Sequence, residues 1–488
     1  MRTDTRFEER YVMFLGLKSS VLLRCLQAGA VLGAVGLTAF TDAQAQDRSA
    51  ARSPRRNVRL VQNEALPPAP PIGGVDEVME AEPALAPAAP QAPAEPAYLQ
   101  ADVKDNPIEP PADEPWTLTN LFNDGCGGNF LKDHGFKVSG WSQWGYISGP
   151  DGSFNGNGPF VNQKEFDMFG SYQNYLFLEK IADGSKGLDW GVRADVMYGL
   201  DGNDAQSFGN INPGKWDFLN GYDHGAYEWT LPQMYGEIAY DKLSVKIGHF
   251  YTIEGYEVVP SVGNYFFTRT LNFWNSEPFT HTGFLASYKV TDKFTAMGGW
   301  VAGWDTGFYQ YNGGSAFLGG FTWKATDTTD VVYAINAGNL GWRGDGAVSS
   351  LIVSQKWTEK FTTVAQLDVL STNLTQADGT PASFRDPNSL TPRDSLGFIN
   401  YAFYELTPKV RAGMRYEWYK ADGTSYNTLT GGFNLKPWSW LLVRPEVRGM
   451  WSPGNQDVYP LGGGTGANGY RDELFNSTLF GIDAIVLF

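Results

Sequence analysis

From residue 135 to the end, the chain repeats segments of about ten residues in which apolar and polar side chains alternate. Successive side chains of a β-strand point to opposite faces, so a period of two predicts strands with one apolar and one polar face. In "DWGVRADVMYG" (189–199) the polar face carries Arg193 and Asp195. The apolar face of this segment consists of Trp190, Val192, Ala194, Val196 and Tyr198.

Three later segments have the same pattern with more charge on the polar face. In "FTTVAQLDVL" (361–370), Gln366 and Asp368 oppose an apolar row that ends in Leu367 and Val369. The segments at 409–419 and 440–451 each place charged residues on one face and apolar residues on the other. Their charged faces hold Arg411, Arg415 and Glu417 in the first segment and Arg444, Glu446 and Arg448 in the second.

The last segment, "STLFGIDAIVLF" (477–488), alternates in the same way, with Asp483 on the less apolar face. A terminal strand of a soluble sandwich would also show such a face, turned toward a core. The apolar face of this segment holds Phe480, Ile482, Ala484, Val486 and Phe488.

The alternation predicts sixteen strands, although fourteen or eighteen remain open and the faces at 169–180 and 394–405 are ambiguous. Turn-forming clusters such as "TDK", "TEK" and "TPK" separate some strands, and longer stretches separate others. The predicted strands are 136–149, 169–180, 189–199, 230–241, 243–251, 279–289, 294–304, 315–325, 330–338, 349–358, 361–370, 394–405, 409–419, 427–436, 440–451 and 475–488.

Strand length and aromatic placement favour a membrane barrel over a soluble β-protein. A strand of about ten residues that rises about 3.3 Å per residue and tilts about 45° covers roughly 23 Å, close to the apolar band of an outer-membrane barrel. No run of about 18 apolar residues follows residue 45, so no transmembrane helix is predicted. We therefore expect an all-β, transmembrane antiparallel β-barrel with short periplasmic turns and long extracellular loops. Aromatic residues expected at strand ends are Trp190, Tyr198, Trp300, Trp357, Phe361, Trp418 and Phe488.

The region before the strands predicts export followed by a linker. Residues 1–45 read as a signal peptide that ends in Ala43-Gln44-Ala45, and the initiator is either Met1 or Met13. Residues 46–115 are rich in Ala and Pro and are expected to form a disordered periplasmic linker. Residues 116–135 lead into the barrel at 136–488. The predicted location is the bacterial outer membrane.

Composition limits the chemistry that the chain supports. The net charge of −16 disfavours nucleic acid as a partner, because phosphate binding needs a basic face. Once the predicted signal is removed, Cys126 is the remaining cysteine, and the four histidines at 134, 224, 249 and 281 lack metal-ligand spacing. We expect no cofactor, no metal site and no enzymatic activity.

Several stretches resemble a known family. They are "YQNYLFLEK" (172–180), "DWGVRADVMYG" (189–199), "PQMYGEIAYDKLSVKIGHFYTIEGYEVVP" (232–260), "EPFTHTGFLASYK" (277–289) and "GGWVAGWDTGF" (298–308), and they are similar to the β-barrel porin-2, OmpL-like family. The resemblance covers the chain from about residue 130 to the end and implies an outer-membrane porin without catalytic residues. A porin passes small hydrophilic solutes or ions through a water-filled channel.

A wide barrel needs a constriction in order to select its solutes. The third long loop, at 252–278, carries Glu254, Glu257 and Glu277, and we expect it to form that constriction. The strand pair with Arg411, Arg415, Arg444 and Arg448 lies opposite in a ring of sixteen. An acidic loop facing this arginine wall predicts a transverse field across the passage. The alternative is that the arginines pair locally with Glu417 and Glu446, and that the loop is a solvated lid at the rim.

Other readings and partners follow from the same features. A secreted β-protein could bind glycans on aromatic platforms, and a barrel-based enzyme could use His281 with a nearby Ser or Thr. For a porin, the expected partners are outer-membrane lipids, the transported solutes and the assembly machinery that reads the C-terminal strand. A homo-trimer is compatible with this class. The predicted membrane anchors are Phe488, Phe480, Trp418 and Trp190.

The two faces of the last strand predict different responses to substitution. Ile482→Arg should destabilise the barrel by about 2–4 kcal/mol, because it would place a cation near the bilayer midplane. Asp483→Asn should be close to neutral if that side chain faces water. Urea unfolding of the protein in lipid vesicles would measure both, and equal effects would show that the faces are misassigned.

Overall fold

The structure is a computed structural model that describes residues 118–119, 129–148, 169–207, 217, 227–376, 379–383, 391–453 and 477–488. The predicted signal peptide, the predicted linker and residues 116–117 and 120–128 of the predicted lead-in lie outside the described residues. Among the residues described, no helix has the length and apolar character needed to span a bilayer.

In the described parts of the chain, seventeen β-strands form a single antiparallel sheet in which neighbouring strand positions pair. The sheet closes because β1 also pairs with β17, from Trp141 opposite Leu487 to Ile147 opposite Gly481. The strands are β1 Phe136–Ile147, β2 Phe169–Lys180, β3 Asp189–Gly199, β4 Glu228–Thr230, β5 Met234–Tyr240, β6 Leu243–Tyr251, β7 Thr280–Thr291, β8 Phe294–Val301, β9 Ser315–Lys324, β10 Thr329–Asn339, β11 Asp345–Lys356, β12 Phe361–Thr372, β13 Asp394–Thr407, β14 Val410–Ala421, β15 Thr424–Trp438, β16 Leu441–Trp451 and β17 Ser477–Leu487.

The fourth spanning strand is interrupted, which accounts for the difference between seventeen and sixteen. Both β4 and β5 pair with β3, the first at residues 197–199 and the second at residues 189–194. Residues 231–233 separate them, and Pro232 lacks the N–H that an uninterrupted ladder requires. The barrel therefore has the sixteen strand positions predicted from the sequence.

Most connections at one end of the barrel are short turns, and we take this end as periplasmic. The opposite end carries the long connections at 148–168, 200–227, 252–279, 373–393 and 452–476, together with the intermediate one at 302–314. The described short helices are α1 Phe130–Asp133, α2 Gly202–Ala205 and α3 Leu271–Ser276, and all but α1 lie in long connections.

The predicted alternation of short and long connections is incomplete. At the long-loop end, β10 and β11 are joined by residues 340–344 alone, and β14 and β15 by Asp422 and Gly423. Both turn residues have positive φ, 44° and 88°, as a type I′ hairpin requires, and Asp-Gly is a favoured pair for this turn. The predicted start of β15 at 427 is wrong for this reason, because the strand begins at Thr424.

The predicted faces agree with the observed burial of the strands. On β17, Phe480 is 44% exposed and Ile482 is 37% exposed, whereas Asp483, which follows Ile482 on the opposite face, is 2% exposed. Aromatic side chains are exposed at both ends of the barrel wall, as expected of membrane interfaces. They include Trp190, Tyr240, Trp323, Trp357 and Trp438 at the periplasmic end, and Trp144, Trp229, Trp300, Phe317 and Trp451 at the other.

The sequence does not distinguish the inner face of β13 from its outer face, because both are largely apolar. Phe398 and Tyr404 are exposed on the outer surface, while Ile399, Tyr401 and Phe403 are buried on the inner surface. The inner row belongs to a cluster with Tyr265 and Phe266 from the connection between β6 and β7. An inner face that packs against a chain segment does not need to be polar.

Candidate functional site

The connection between β6 and β7, residues 252–279, folds into the barrel; we call it the inner loop. Its two ends meet where the Thr252 N–H donates to the Phe279 carbonyl at 3.0 Å. Gly145 of β1 lies against the ring of Phe267 and Gly413 of β14 against the ring of Tyr265, both from the inner loop. The loop thus contacts the inner wall on both sides of the β1–β17 closure.

Arg415 on β14 holds the middle of the inner loop. Its guanidinium forms an ion pair with Glu257, at 2.5 Å between Nη1 and Oε1, and donates to the Thr268 carbonyl at 2.7 Å. The same Glu257 carboxylate accepts the Thr270 backbone N–H at 2.7 Å. Arg415 is completely buried, so this pair is shielded from water and from salt screening.

Two wall carboxylates accept backbone N–H groups of the inner loop. Glu446 on β16 accepts from Phe267 at 2.7 Å and from Thr268 at 3.2 Å. Glu417 on β14 accepts from Leu271 at 3.0 Å and from Asn272 at 2.8 Å. Because these last two groups open helix α3, Glu417 satisfies N–H groups that have no partner within the helix.

The β16 arginines donate to loop carbonyls. Arg448 donates to the carbonyl of Arg269 at 2.8 Å. Arg444 donates to the carbonyls of Ser261 at 2.9 Å and Asn264 at 2.7 Å. Its remaining guanidinium atoms bind both carboxylate oxygens of Asp483 on β17.

Glu254 and Glu277 lie on the side of the loop that faces β12. Asp368 and Gln366 on β12 and Asn272 in α3 surround Glu277, and Ser350 of β11 accepts the Gly255 N–H at 3.2 Å. Burial, together with the Asp368 carboxylate, raises the pKa of Glu254 and of Glu277 well above the usual carboxyl value. This part of the site therefore favours protonated carboxyl groups.

Arg193 and Asp195 on β3 form a separate cluster nearer the periplasmic end. Arg193 lies between Glu179 and Asp195 and pairs with both. Its guanidinium also covers the ring of Phe177 at 3.9 Å. Tyr175 donates to Asp195, so this cluster is closed on its own partners and does not touch the inner loop through these bonds.

The structure changes the expectation of a field across an open passage. Glu257 is in contact with Arg415, so the field of that pair is largely confined to the contact. Glu254 and Glu277 face β12, and Arg411 pairs with Glu405 at 2.8 Å on the periplasmic side. The alternative of a rim lid does not fit either, because Glu254, Glu257 and Glu277 are all buried inside the wall.

The expectation that the charged faces of the strands line open water is also wrong where the inner loop occupies the lumen. The inward side chains of β14 and β16 meet the inner loop instead, and Arg415, Arg444 and Arg448 are each at most 1% exposed. The sequence-based reading missed the loop's own contributors, Thr268, Arg269 and Asn272. Their only local signal is that polar residues recur within an otherwise aromatic stretch, "NYFFTRTLNFWNSE" (264–277).

The predicted anchors lie on the outer surface or at its edge. Trp190 is 53% exposed and stacks under the ammonium of Lys180 at 4.6 Å. Phe480 is exposed, and Trp418 and Phe488 are half-buried. The Phe488 carbonyl accepts the Gly140 N–H at 2.9 Å, which extends the pairing of β17 with β1 by one residue.

His281, the residue considered for catalysis, is buried inside the protein, and so is His249. His281 contacts the Gly303 carbonyl at 3.2 Å and the Thr252 hydroxyl at 3.1 Å. His249 contacts Ser207 at 3.2 Å, and its other ring nitrogen contacts Thr282 rather than a carboxylate. Both are completely buried, whereas an esterase on a barrel would need such a pair on an accessible surface.

The family match covers the whole barrel. The family described as "Putative beta-barrel porin-2, OmpL-like" matches residues 135–488, and the chain belongs to it. It is therefore an outer-membrane channel protein for passive diffusion, as the sequence resemblance predicted. No curated protein matches the chain.

The chain is also similar, at low sequence identity, to several solved structures. The channel DcaP of Acinetobacter baumannii is 11% identical, with a TM-score of 0.46, over 72% of this chain and 97% of that one. An anion-selective porin from Comamonas acidovorans is 10% identical, with a TM-score of 0.47, over 72% and 99%. OmpT of Vibrio cholerae in its trimer form is 13% identical, with a TM-score of 0.44, over 72% and 99%.

The ion pair between Arg444 and Asp483 revises the expectation for Asp483→Asn. The substitution removes the charge that compensates a buried guanidinium, so we expect a loss of about 1.5–3 kcal/mol in unfolding free energy. Urea unfolding in lipid vesicles measures it. Asp292→Asn, at an exposed turn, is the matched control and should change the stability by less than about 0.5 kcal/mol.

Proposed function

We propose that the inner loop is the constriction of this porin and that the inner wall holds it in place. The observation that carries the proposal is the placement of this long segment inside a closed ring of strands, bonded to Arg415, Arg444 and Glu446. A segment so placed reduces the cross-section available to solutes. Small hydrophilic solutes and ions pass through the space that the loop leaves.

In this proposal the predicted site residues have different tasks. Glu257 with Arg415 fixes the middle of the loop, and Glu254 with Glu277 fixes its two arms near β12. Arg411 lies at the periplasmic mouth beside Lys409 and Lys436. The charges of Arg444, Arg448, Glu417 and Glu446 are used to hold loop backbone groups, so their main effect on solutes is through the shape of the constriction.

Excision of the loop tests its role in limiting the flow of ions. The ends at Thr252 and Phe279 are hydrogen-bonded, so a short Gly-Ser linker can replace residues 254–277 without straining β6 and β7. We expect the shortened protein to show a larger single-channel conductance in planar bilayers, because the lumen is no longer partly filled. Unchanged conductance of a correctly folded shortened barrel would refute the constriction.

Loss of the Glu257 charge tests the electrostatic part of the proposal. Glu257→Gln leaves the Arg415 guanidinium without its carboxylate, so the reversal potential in a salt gradient should shift toward anion selectivity. Glu359→Gln removes the same charge from an exposed periplasmic turn and is the control. Reversal potentials that are equal in both variants would mean that Glu257 does not act on permeating ions.

We further propose how the protein reaches the membrane and assembles. Residues 1–45 act as the export signal, residues 46–115 form a periplasmic linker, and the assembly machinery reads the strand that ends at Phe488. Trp190, Trp418, Phe480 and Phe488 contact outer-membrane lipids, and three copies form a homo-trimer. A heat-modifiable band in the outer-membrane fraction, with a cross-linked trimer, is the expected result; a fully soluble protein would favour the glycan-binding alternative.

A further inference from the structure

Two acidic side chains from distant parts of the chain meet at the wall of the barrel. Glu277 ends the inner loop just after α3, and Asp368 points inward from β12; we call them the acid pair. Their carboxyl groups lie within hydrogen-bond reach of each other. Both are buried, at 3% and 1% exposure.

The acid pair shares its hydrogen-bond donors. The side-chain amide of Asn272 donates to Glu277 Oε1 at 2.6 Å and also to Asp368 Oδ2. The side-chain amide of Gln366 donates to the same two oxygens, at 2.6 Å and 2.7 Å. Two amide groups therefore clamp one oxygen of each carboxyl, which fixes the two groups side by side.

The remaining oxygens of the pair, Glu277 Oε2 and Asp368 Oδ1, have no hydrogen-bond partner among the residues described. The same is true of both carboxyl oxygens of Glu254, which lies beside the pair. A Cβ on Gly255 would come within 1.9 Å of Glu277 Oε2, so the two arms of the loop are in close contact at this point. The position of this part of the loop therefore depends on whether these carboxyl groups are ionised or protonated.

Most of the charged and titratable groups that face the acid pair are acidic, and they favour its protonated form. From the inner loop these are Glu254 and Glu257, from β13 Tyr401 and from β14 Glu417. Residues of β10 and β11 contribute the uncharged Asn336 and Ser350. The nearby guanidinium of Arg415 is bonded to Glu257. Two carboxylates in contact cannot both remain ionised in a buried site.

We propose that Glu277 and Asp368 share one proton at neutral pH, and that this shared proton ties the inner loop to the barrel wall. Asp368 is then a positioning residue of the constriction, which it affects through Glu277. One O–H of the pair donates to the other carboxylate, so a repulsive contact becomes an attractive one. This inference rests on the proposed function of the loop as the constriction.

The direction of the pH effect follows from the burial. Burial, and next the Asp368 carboxylate, raises the pKa of Glu277, so the bound form of the loop binds more protons than a released form. The contribution of the acid pair is fully present below the ordinary carboxyl pKa and is lost as the pH rises through the raised one. At high pH the two charges repel, the loop arm moves from the wall and the passage widens.

Single-channel recording of the full-length protein in planar bilayers between pH 5 and pH 10 tests the inference. We expect the conductance to rise reversibly with pH, with a midpoint above neutrality and so well above the ordinary Glu value of about 4.3. Glu277→Gln places an amide N–H against Asp368 at every pH, so its conductance should stay at the low-pH value of the wild type. Asp368→Asn should do the same, and it carries the test if Glu277→Gln does not fold.

Glu359→Gln, in an exposed turn, is the control and should keep the wild-type pH profile. A wild-type conductance that does not change with pH, or an identical rise in Glu277→Gln and Asp368→Asn, would overturn the shared proton. A change on adding a chelator at constant pH would assign the site to a metal ion and overturn it as well. If the loop-excised protein conducts more but the pH profiles coincide, the constriction stands and only the acid pair fails.

Discussion

Backbone hydrogen bonding without water is the constraint on which this structure depends. In hydrocarbon an unpaired N–H or C=O group costs several kcal/mol, so a spanning sheet needs a partner for each strand. The pairing of β1 with β17 removes the last open edge. Once the ring is closed, the outer side chains meet lipid, and alternation along each strand sends the other set inward.

Closure also creates a lumen, and the inner loop occupies part of it. The inner loop is largely irregular, so its own N–H and C=O groups lack partners within the segment. The wall supplies them with charged side chains, since Glu446 and Glu417 accept N–H groups and Arg444 and Arg448 donate to carbonyls. Glu417 on β14 and Glu446, Arg444 and Arg448 on β16 therefore help to keep the loop in the lumen.

Two kinds of electrostatic support hold the loop against the inner wall. The arginine side is held by complementary charge, as in the contact of Glu257 with Arg415. The β12 side joins like charges, which are compatible only if a proton is present. The first support joins opposite charges and needs no added proton, whereas the second depends on a proton and therefore on pH.

The barrel and most of its strand boundaries could be predicted from the sequence because their signal is local. β14 and β16 alternate so regularly that their inward charges are evident without a structure. The inner row of β13 was not assignable, since Tyr401 and Phe403 look like lipid-facing residues until Tyr265 and Phe266 are placed against them. Asp422-Gly423 is a turn signal in the sequence, but the predicted strand limits place both residues inside a longer connection, 420–426.

By itself, the sequence determined the closed sheet, the side of most strands that meets lipid and the loop that enters the lumen, because strand period and turn chemistry act between near neighbours. The tertiary structure alone decided which charges meet: Glu257 with Arg415, Asp483 with Arg444 and Glu277 with Asp368. The physical reason is distance along the chain. The partners in these contacts are brought together by closure of the ring and by the path of one irregular segment. Neither of these produces a periodic pattern in the sequence.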